Sequence, residues 1–296
     1  MTVSTVALLG VGLMGAPVAE RLLAAGFALA LWNRTAAKLT PFAGRATLAS
    51  TPEEAVTQAD VIITLLENGA VVDAVLYQSA AIEKVQAGAL VIDMSSITPA
   101  QARAHAARCQ SLGLRYVDAP VSGGTRGAAA GTLAIMAGGK AADIDAAAAV
   151  FAALGKATRI GEVGCGQLAK LANQAIVGIT IGAVAEALLL AAAGGADPAA
   201  VREALLGGFA GSKILEQHGE RMLTRNFTPG APARIQLKDM HMICNQAREL
   251  GLTLPLAEDT LAAYDALVAQ GHGEVDHAGL LLGLEAANQK RLDGRC

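Results

Sequence analysis

Short apolar runs alternate with helix-like stretches through the first half of the chain. Each run is four or five residues long, which suits a strand, and the stretches between the runs are long enough for helices. Continuous apolar strands separated by helices are typical of a parallel sheet that is covered on both faces. The predicted strands are Thr5–Leu9, Ala28–Trp32, Val61–Leu65, Leu90–Asp93, Arg115–Asp118, Leu133–Ala137 and Ala157–Ile160. The predicted helices include Ala16–Ala25, Pro52–Gln58, Pro99–Leu112 and Ala142–Leu154.

The pattern changes after about Gly164, where strand-like runs give way to consecutive helices. Glycine and proline breaks separate these helices, and the first of them, Gln167–Ala193, is long and largely apolar. We therefore predict an α/β protein of two domains. A doubly wound parallel sheet occupies residues 1–163, and an all-helical domain occupies residues 164–296.

The apolar segment Leu171–Ala196 is long enough to span a bilayer. Glu186 interrupts it and Lys170 stands just before it, so we predict a helix buried in protein rather than a membrane span. In that interpretation Gly178 and Gly182 allow another helix to approach closely. The apolar N-terminus has no basic residue before its apolar run and does not fit a signal peptide. We expect a cytoplasmic protein that does not bind membranes.

Composition narrows the class of protein further. Apolar residues make up 53% of the 296 residues and charged residues 17%, which excludes intrinsic disorder. Aromatic residues are only 3%, so the core must be aliphatic. A formal net charge of −3 provides no basic field, and nucleic-acid binding is therefore not expected.

The cysteines and histidines indicate neither a disulfide framework nor a metal site. His272 and His277 are close in sequence, but glycines flank the first and no third ligand accompanies them, so we expect a surface loop and no bound metal. The cysteines are widely separated and unpaired in spacing, which favours reduced thiols in a cytosolic protein. They are Cys109, Cys165, Cys244 and Cys296.

A glycine-rich turn follows the first predicted strand directly. Its sequence, GVGLMG, fits the GxGxxG pattern of dinucleotide sites and leads into a helix. Gly10 permits the tight turn, Gly12 leaves room for a pyrophosphate, and Gly15 lets the helix pack on the strand. The amides at the start of that helix then face the phosphates. We predict a Rossmann-type cofactor site at Gly10, Gly12, Leu13, Met14 and Gly15.

The end of the second predicted strand indicates which dinucleotide binds. NAD sites usually carry an acidic residue there, which accepts a hydrogen bond from the ribose 2′-hydroxyl. This chain has Asn33, Arg34 and Thr35 instead. The Arg34 guanidinium can pair with a 2′-phosphate, and its two neighbours can add hydrogen bonds. We predict NADP(H) as the preferred cofactor, with NAD(H) as the alternative.

A lysine stands near the start of the otherwise apolar long helix. Lys170, Asn173 and Gln174 are spaced i, i+3 and i+4, so they share one helical face. Spacing alone leaves two interpretations equal: the lysine extends into solvent, or it serves a cleft.

Five motifs, in order along essentially the whole chain, resemble those of the β-hydroxyacid dehydrogenase family. They are GVGLMGAPVAERL at Gly10–Leu22, NRT at Asn33–Thr35, DMSSITP at Asp93–Pro99, DAPVSGGTRGAAAGTLAIMAGG at Asp118–Gly139 and GQLAKLANQ at Gly166–Gln174. The resemblance implies reversible, NAD(P)-dependent oxidation of a short 3-hydroxy acid to its semialdehyde.

The resemblance also assigns the central chemical role to Lys170, which matches the catalytic lysine of the family. A positioned ammonium would stabilise and protonate the alkoxide that develops during reduction, and the amine would accept a proton during oxidation. To act as a general base, the lysine needs a pKa below the reference value of about 10.4, and burial can lower the pKa.

Other motif residues match binding positions of the family. Ser122, Gly123 and Gly124 match the loop that holds the substrate carboxylate, whose glycine amides form a nest without a bulky side chain. Asn173 matches a helix residue that bonds the substrate. Ser96 matches a residue near the nicotinamide ribose, and Lys238 matches a lysine that lies over the cofactor. Leu65 completes the predicted cofactor-binding set.

Within the family, the C-terminal half is most similar to tartronate semialdehyde reductases, which form D-glycerate. The similar segments are ANQAIVG, AGGADPAAVREALLGGFAGSKILEQHGERML and EVDHAGLLLGLE, and Gln174 stands where other members carry a second asparagine. Two departures, Glu67-Asn68 and TRGAAAG at Thr125–Gly131, leave other substrates open. Those are 3-hydroxyisobutyrate, 4-hydroxybutyrate (from succinic semialdehyde), glyoxylate and a sugar acid.

Three remaining interpretations are less favoured. A non-catalytic cofactor-binding scaffold and an imine-reducing relative would both lack the lysine that this chain carries at Lys170. A phosphogluconate dehydrogenase would need a longer helical domain. The apolar long helix also predicts a homodimer or homotetramer, with a small hydroxy acid or semialdehyde as the only other partner.

Overall fold

A nine-stranded sheet lies at the centre of the first of two compact units, Met1–Lys170 and Leu171–Cys296. The structure is a computed structural model that describes residues 4–293. The strands are β1 (Thr5–Leu9), β2 (Ala28–Trp32), β3 (Thr47–Leu48), β4 (Val61–Thr64), β5 (Leu90–Asp93), β6 (Arg115–Asp118), β7 (Val121–Ser122), β8 (Leu133–Gly138) and β9 (Gly155–Gly161).

The strand order is β3-β2-β1-β4-β5-β6-β8-β7, with β9 beside β8. The strands from β3 to β6 pair in parallel, and the direction of winding reverses between β1 and β4. This is the doubly wound order, so the predicted fold class is confirmed. The parallel register sets Leu9, Thr64 and Asp93 side by side at the carboxyl edge of the sheet.

The sheet is parallel in most of its pairings but not in all of them. β8 runs antiparallel to β6 and β7, whereas β9 is again parallel to β8. Connection length gives the reason. Only residues 123–132 separate β7 from β8, and a parallel crossover needs a dozen or more residues.

The helices of the first unit begin with well-formed caps. Thr51 accepts a hydrogen bond from the backbone N–H of Glu54, and Thr98 forms a reciprocal capping box with Gln101. The predicted helix Ala142–Leu154 is two helices, which meet at Ala147. The helices are α1 (Gly15–Ala24), α2 (Pro52–Val56), α3 (Gly69–Val72), α4 (Pro99–Ser111), α5 (Gly124–Ala130), α6 (Ala141–Ala146) and α7 (Ala148–Leu154). Shorter 3-10 or π turns span Ala36–Phe42, Asp73–Gln78 and Ala81–Lys84.

Buried aliphatic side chains cover both faces of the sheet. In β1, Val6 and Leu8 belong to the cluster that includes α1, whereas Ala7 and Leu9 belong to the cluster that includes α4. Successive residues of a strand point to opposite faces, so a strand buried on both sides must be apolar at every position. This explains why the strands appear in the sequence as continuous apolar runs.

The second unit is built from helices, as predicted, and the described residues add only an isolated bridge between Pro232 and Asp276. Its first helix, α8, begins in the first unit. A Cβ on Gly178 of α8 would lie 2.7 Å from Gln236 Nε2, so the expected close approach of another helix is confirmed there. The helices are α8 (Cys165–Ala193), α9 (Pro198–Leu206), α10 (Lys213–Leu223), α11 (Ala233–Glu249), α12 (Pro255–Leu267) and α13 (Leu280–Asn288). Short π and 3-10 turns follow α12 at Val268–His272 and His277–Gly279.

By length and composition, α8 is the one helix of residues 4–293 that could cross a membrane. Only 33% of the most apolar 18-residue segment of α8 is buried. The prediction of a helix buried in protein therefore holds for one side of α8 only. The other side carries an apolar row that we call the exposed α8 stripe, which also includes Glu186. Its apolar members are Ala172, Ile176, Ala183, Ala187 and Leu190.

The cysteines in the described residues are free thiols. Cys109 and Cys244 are buried, and Cys165 is half-buried. Cys296 lies outside the described residues, so the prediction of reduced thiols applies here to the other three.

Candidate active site

Most predicted cofactor residues lie at the carboxyl ends of neighbouring strands. The glycine loop follows β1, Asn33–Thr35 follows β2, Leu65 follows β4 and Ser96 lies just beyond β5. These strands are adjacent and parallel, so the four segments meet at one edge of the sheet. They also meet where the winding direction reverses, which is where open α/β sheets bind their ligands.

The glycine loop has the geometry that a pyrophosphate requires. Gly10 has φ +111°, and a Cβ there would lie 2.4 Å from Leu65 O. A Cβ on Gly15 would lie 1.9 Å from Gly10 O, so the start of α1 packs directly on the turn. A Cβ on Gly12 would meet no described atom within 4 Å, and the first turn of α1 has no acidic residue. Open space beside a helix N-terminus fits a dinucleotide phosphate.

The turn after β2 lies directly beside the glycine loop. Gly10 N donates to Trp32 O at 2.9 Å, and Asn33 Nδ2 donates to Thr35 O at 3.0 Å. Asn33 therefore shapes the turn, whereas Arg34 is exposed at its outer side. A guanidinium in this position is accessible to an anionic group that approaches the carboxyl edge of the sheet.

A buried polar network that the motifs did not reveal holds the loop carrying Ser96. Asp93 Oδ1 accepts hydrogen bonds from Thr64 Oγ1 at 2.8 Å and from Ser95 N at 2.9 Å. Ser95 Oγ accepts one from Leu66 N at 3.0 Å, which ties the loops after β4 and β5 together. Burial raises the pKa of the Asp93 carboxyl, although the hydrogen bonds that it accepts act in the opposite direction.

Gln167, in the first turn of α8, joins this network. Its Nε2 donates to Ser95 O at 2.9 Å, and its Oε1 accepts from Ile97 N at 3.2 Å. The side chain is 1% exposed, so both of its bonds are shielded from water. Gln167 precedes Lys170 by one helical turn, and the cofactor loop is therefore bonded directly to the segment that carries the lysine.

Lys170 contacts the loop that was predicted to hold the substrate carboxylate. Its Nζ donates to Val121 O at 2.8 Å, immediately before Ser122. Gly123 and Gly124 have φ values of +136° and +61°, a region that favours glycine, so their backbone turns sharply here. The structure thus brings the predicted catalytic lysine to the Ser122–Gly124 turn, which favours the cleft over the solvent interpretation.

A second buried carboxylate, also missed from the sequence, anchors the start of α8. Asp118 Oδ1 accepts from Gly164 N and Asp118 Oδ2 from Gln167 N, both at 2.8 Å. A Cβ on Gly166 would lie 2.8 Å from Asp118 Oδ2, so glycine is needed for this approach. Burial raises the pKa of Asp118 to about 6, although the two N–H donors oppose the shift. The signal available in the sequence was a lone acid at the end of a buried strand.

In the second unit, two predicted residues are joined through two others. Asn173 Nδ2 donates to Gln174 Oε1 at 2.8 Å, and Gln174 Nε2 donates to Asp239 Oδ2 at 2.6 Å. Lys238 Nζ lies 3.1 Å from Asp239 Oδ1. Asn173 and Lys238, predicted to contact substrate and cofactor, are therefore linked through Gln174 and Asp239, by hydrogen bonds on the Asn173 side and by an ion pair on the Lys238 side.

Another polar cluster of the second unit has the residue types of a metal site. Ligand atoms of His218, Asp276 and His277 lie within 4.8 Å of one another, whereas His272, which the sequence places near His277, is not part of this group. However, the Asp276 carboxylate already accepts backbone N–H groups at 2.9 and 3.1 Å, and Arg221 Nη1 lies 3.7 Å away. Burial acts to raise the Asp276 pKa, but the His218 side chain, the charge of His277 and the backbone N–H groups of Ala278 and Gly230 hold it below its ordinary value. The Arg221 guanidinium would repel a metal ion at this position, so we interpret the cluster as a structural hydrogen-bond and charge network that stabilises the fold.

Two family profiles together span most of the chain. A profile described as the NAD-binding domain of 6-phosphogluconate dehydrogenase matches residues 5–165. A second, described as the NAD-binding region of NADP-dependent 3-hydroxyisobutyrate dehydrogenase, matches residues 164–283.

Individual proteins match along nearly the full length. The chain is 39% identical to 2-hydroxy-3-oxopropionate reductase of Escherichia coli (strain K12), over 95% of this chain and 98% of that protein. It is 32% identical to an NAD-dependent L-serine dehydrogenase of Pseudomonas aeruginosa, over 92% and 94% of the two chains. A crystal structure of 3-hydroxyisobutyrate dehydrogenase from Salmonella typhimurium has a TM-score of 0.87 at 27% identity, covering 94% of this chain and 99% of that one.

A doubly wound sheet with an open glycine loop, followed by helices and a lysine beside a glycine turn, defines a nicotinamide-dinucleotide-dependent oxidoreductase. With the profile matches and the relatives above, the chain belongs to the β-hydroxyacid dehydrogenase family. It is an NAD(P)-dependent enzyme that acts on CH–OH groups.

Proposed function

We propose that the protein reduces tartronate semialdehyde (2-hydroxy-3-oxopropionate) to D-glycerate with NADPH. The observation that carries the chemistry is the placement of the Lys170 ammonium 2.8 Å from Val121 O, at the Ser122–Gly124 turn. The substrate is supported by the relative of 39% identity, whose name is 2-hydroxy-3-oxopropionate reductase.

The roles of the residues follow from the charge that develops in the reaction. Ser122 and the amides of Gly123 and Gly124 bind the substrate carboxylate, and Asn173 bonds the substrate beside it. Bound nicotinamide supplies a hydride to the aldehyde carbon. Lys170 stabilises the negative charge on the former carbonyl oxygen and gives it a proton, so that the product is a neutral alcohol group.

We propose NADPH rather than NADH as the preferred cofactor, with no metal in the reaction. The exposed Arg34 and the lack of an acid in the turn after β2 support the 2′-phosphate. One matching profile describes an NADP-dependent enzyme, whereas one relative is named NAD-dependent, so use of NAD(H) is the alternative. The remaining predicted contacts, from the glycine loop to Leu65, Ser96 and Lys238, bind this cofactor.

Two further proposals concern the whole chain. We propose a cytoplasmic homodimer or homotetramer in which the exposed α8 stripe lies at a contact between copies. The reason is that burial of an apolar row against a second copy removes it from water and stabilises the assembly. We also propose that the functional division into cofactor and helical domains falls between residues 163 and 164, at the start of α8.

A panel of substrates, assayed with both cofactors, tests the function. The expected result is the highest kcat/KM for tartronate semialdehyde with NADPH, and for D-glycerate with NADP+ in the reverse direction. A higher value for 3-hydroxyisobutyrate, 4-hydroxybutyrate or glycolate would contradict the substrate proposal and favour the corresponding alternative. Failure to turn over any of them, with cofactor still bound, would favour the non-catalytic scaffold.

A further inference from the structure

A chain of hydrogen bonds in the second unit runs from Asn173 to a buried carboxylate. Asn173 Nδ2 donates to Gln174 Oε1, and Gln174 Nε2 donates to Asp239 Oδ2. Gln236 also contacts Gln174: its Nε2 donates to the backbone oxygen of Gln174 at 3.1 Å, and its Oε1 accepts from Gln174 Nε2 at 3.4 Å. Asp239 is 2% exposed and Gln236 is 1% exposed, so this end of the chain is shielded from water, whereas Asn173 and Gln174 are half-buried.

The carboxylate sets the direction of the bonds in this chain, and the more distant Gln236 Oε1 favours the same orientation of the Gln174 amide. Since a carboxylate only accepts hydrogen bonds, the amide of Gln174 must turn its nitrogen toward Asp239 and its oxygen toward Asn173. Asn173 must then turn its nitrogen toward Gln174. The Asn173 side-chain oxygen consequently points to the other side of its amide, where it can accept a hydrogen bond from a ligand.

The second oxygen of the same carboxylate lies beside a cation. Asp239 Oδ1 is 3.1 Å from Lys238 Nζ. An asparagine at position 239 would turn its oxygen toward this ammonium and its NH2 group toward Gln174. The Gln174 amide would then reverse, and Asn173 would reverse with it. A change of a single atom at position 239 is therefore expected to invert the polarity of the whole chain.

We infer that Asp239 is a positioning residue for substrate selection: through Gln174 it holds Asn173 with its oxygen toward the substrate, and the enzyme thereby selects an acid with a hydroxyl group on C2. This inference rests on the proposed function, in which Asn173 bonds the substrate. A C2 hydroxyl can donate to Asn173 Oδ1, whereas a C2 methyl leaves that oxygen without a donor. Leaving a buried acceptor unpaired in this way lowers kcat/KM by about 10- to 100-fold.

D-Glycerate and 3-hydroxyisobutyrate form a matched pair for the test, because they differ in the hydroxyl or methyl group on C2 and share the reacting CH2OH group. The measurement is the ratio of kcat/KM for the two acids in the oxidative direction with NADP+. A loss of folded protein or of cofactor affinity lowers both values alike, so the ratio reports on selection alone.

The variants are Asp239→Asn, Gln174→Leu and the double variant. Either single change is expected to lower the ratio of D-glycerate to 3-hydroxyisobutyrate at least tenfold. Because both act on the same chain, the double variant should lose no more than the larger single effect. Met240→Leu is the control: it alters buried packing on α11 next to Asp239 but removes no group that hydrogen-bonds in this chain, so the ratio should be nearly unchanged.

The result that overturns the inference is an unchanged ratio in Asp239→Asn and Gln174→Leu, or an equal fall in Met240→Leu. The proposed function fails separately, if the unaltered enzyme prefers an acid other than D-glycerate, because the change in the ratio on substitution is still measurable. If neither acid is oxidised, the same ratio is taken from dissociation constants with NADP+ bound. An unchanged binding ratio then overturns the inference as well.

Discussion

At the scale of residues, key polar groups of the candidate site are held by defined partners inside an aliphatic protein. Lys170 is held by Val121 O, and Gln174 by Asp239. Such contacts are required because a polar group that is buried without a partner costs several kcal/mol. Groups that are held in place before the substrate binds need little reorganisation during the reaction, which is the condition for electrostatic catalysis.

Replacement of the lysine should remove the proton donor without disturbing the cofactor. We expect Lys170→Ala to lower kcat by about 10²- to 10⁴-fold, the range that general acid–base groups supply, while the Kd for NADPH changes little. Steady-state kinetics and fluorescence titration measure the two effects. Lys156→Ala, at an exposed lysine of β9, is the control and should keep full activity. Retained turnover in Lys170→Ala would remove the lysine from the mechanism.

Replacement of Arg34 should change the choice between the two dinucleotides. Because a hydrogen bond to a charged group contributes about 1.5–3 kcal/mol, Arg34→Ala should weaken NADPH by about 10- to 100-fold and NADH much less. Arg34→Asp should reverse the preference. Arg45→Ala is a matched control, since the Arg45 guanidinium is already paired with both oxygens of Glu20. Equal weakening of NADPH and NADH would contradict the 2′-phosphate role.

At the scale of elements, the first turn of α8 is bonded to the carboxyl end of β6 and to the loop that follows β5. Asp118, at the end of β6, caps the backbone N–H groups of Gly164 and Gln167, and the Gln167 side chain bonds the loop after β5. The negative charge lies at the positive end of a 29-residue helix, which is the favourable orientation. The position of Lys170 therefore depends on contacts made one turn earlier.

The pKa of Asp118 predicts a specific dependence of stability on pH. The value rises from 3.8 to about 6 on folding, so the ionised group is disfavoured in the fold. Its contribution to stability is full below about pH 4 and is lost as the pH rises through 6. The total loss is about 3 kcal/mol, with roughly half of it between pH 5 and pH 8.

Comparison with Asp118→Asn isolates this contribution, because other groups titrate alike in both proteins. The unfolding free energy of the unaltered protein, minus that of the variant, should fall by roughly 1 to 2 kcal/mol from pH 5 to pH 8. Urea unfolding followed by Trp32, the single tryptophan, reports on the first unit. A difference that grows with pH would mean that the N–H donors lower the pKa instead of burial raising it.

At the scale of the whole molecule, some apolar side chains remain exposed outside the hydrophobic cores of the two units. Ile176 and Leu190 on α8 are 67% and 76% exposed, although α8 contributes Ile181 and Leu188 to the core of the second unit. Together with the exposed alanines between and beside them, these two side chains form an apolar row along one helical face, which is typical of a surface that another helix covers.

Charged substitutions on this face should separate the copies of the proposed oligomer. We expect Ile176→Glu with Leu190→Glu to shift the mass in solution from two or four chains to one chain of 29.9 kDa. Size-exclusion chromatography with light scattering measures the mass. Glu186→Gln, on the same stripe, removes a charge and should keep the oligomer. A monomeric unaltered protein would refute this proposal and leave the enzymatic one intact.

The sequence by itself determined the features that depend on local pattern. β1, β2, β5 and β6 have their predicted bounds. In β1 the reason is plain: a strand buried on both faces must be largely apolar, and such a run is visible in one dimension. The glycine loop was predictable for a similar reason, since Gly10 must adopt a positive φ directly after a strand. Lys170 could be found because a charge is conspicuous in an apolar helix.

Only the tertiary structure decided which polar groups meet. Asp118 binds groups 46 and 49 residues away, and Asp239 binds Gln174 across 65 residues, so no local pattern contains these pairs. The antiparallel direction of β8 and the contact of His218 with Asp276 also depend on how distant segments of the chain are brought together in the fold. A hydrogen bond requires two atoms within about 3 Å. Periodicity predicts the elements, but the packing of one element on another brings those atoms together.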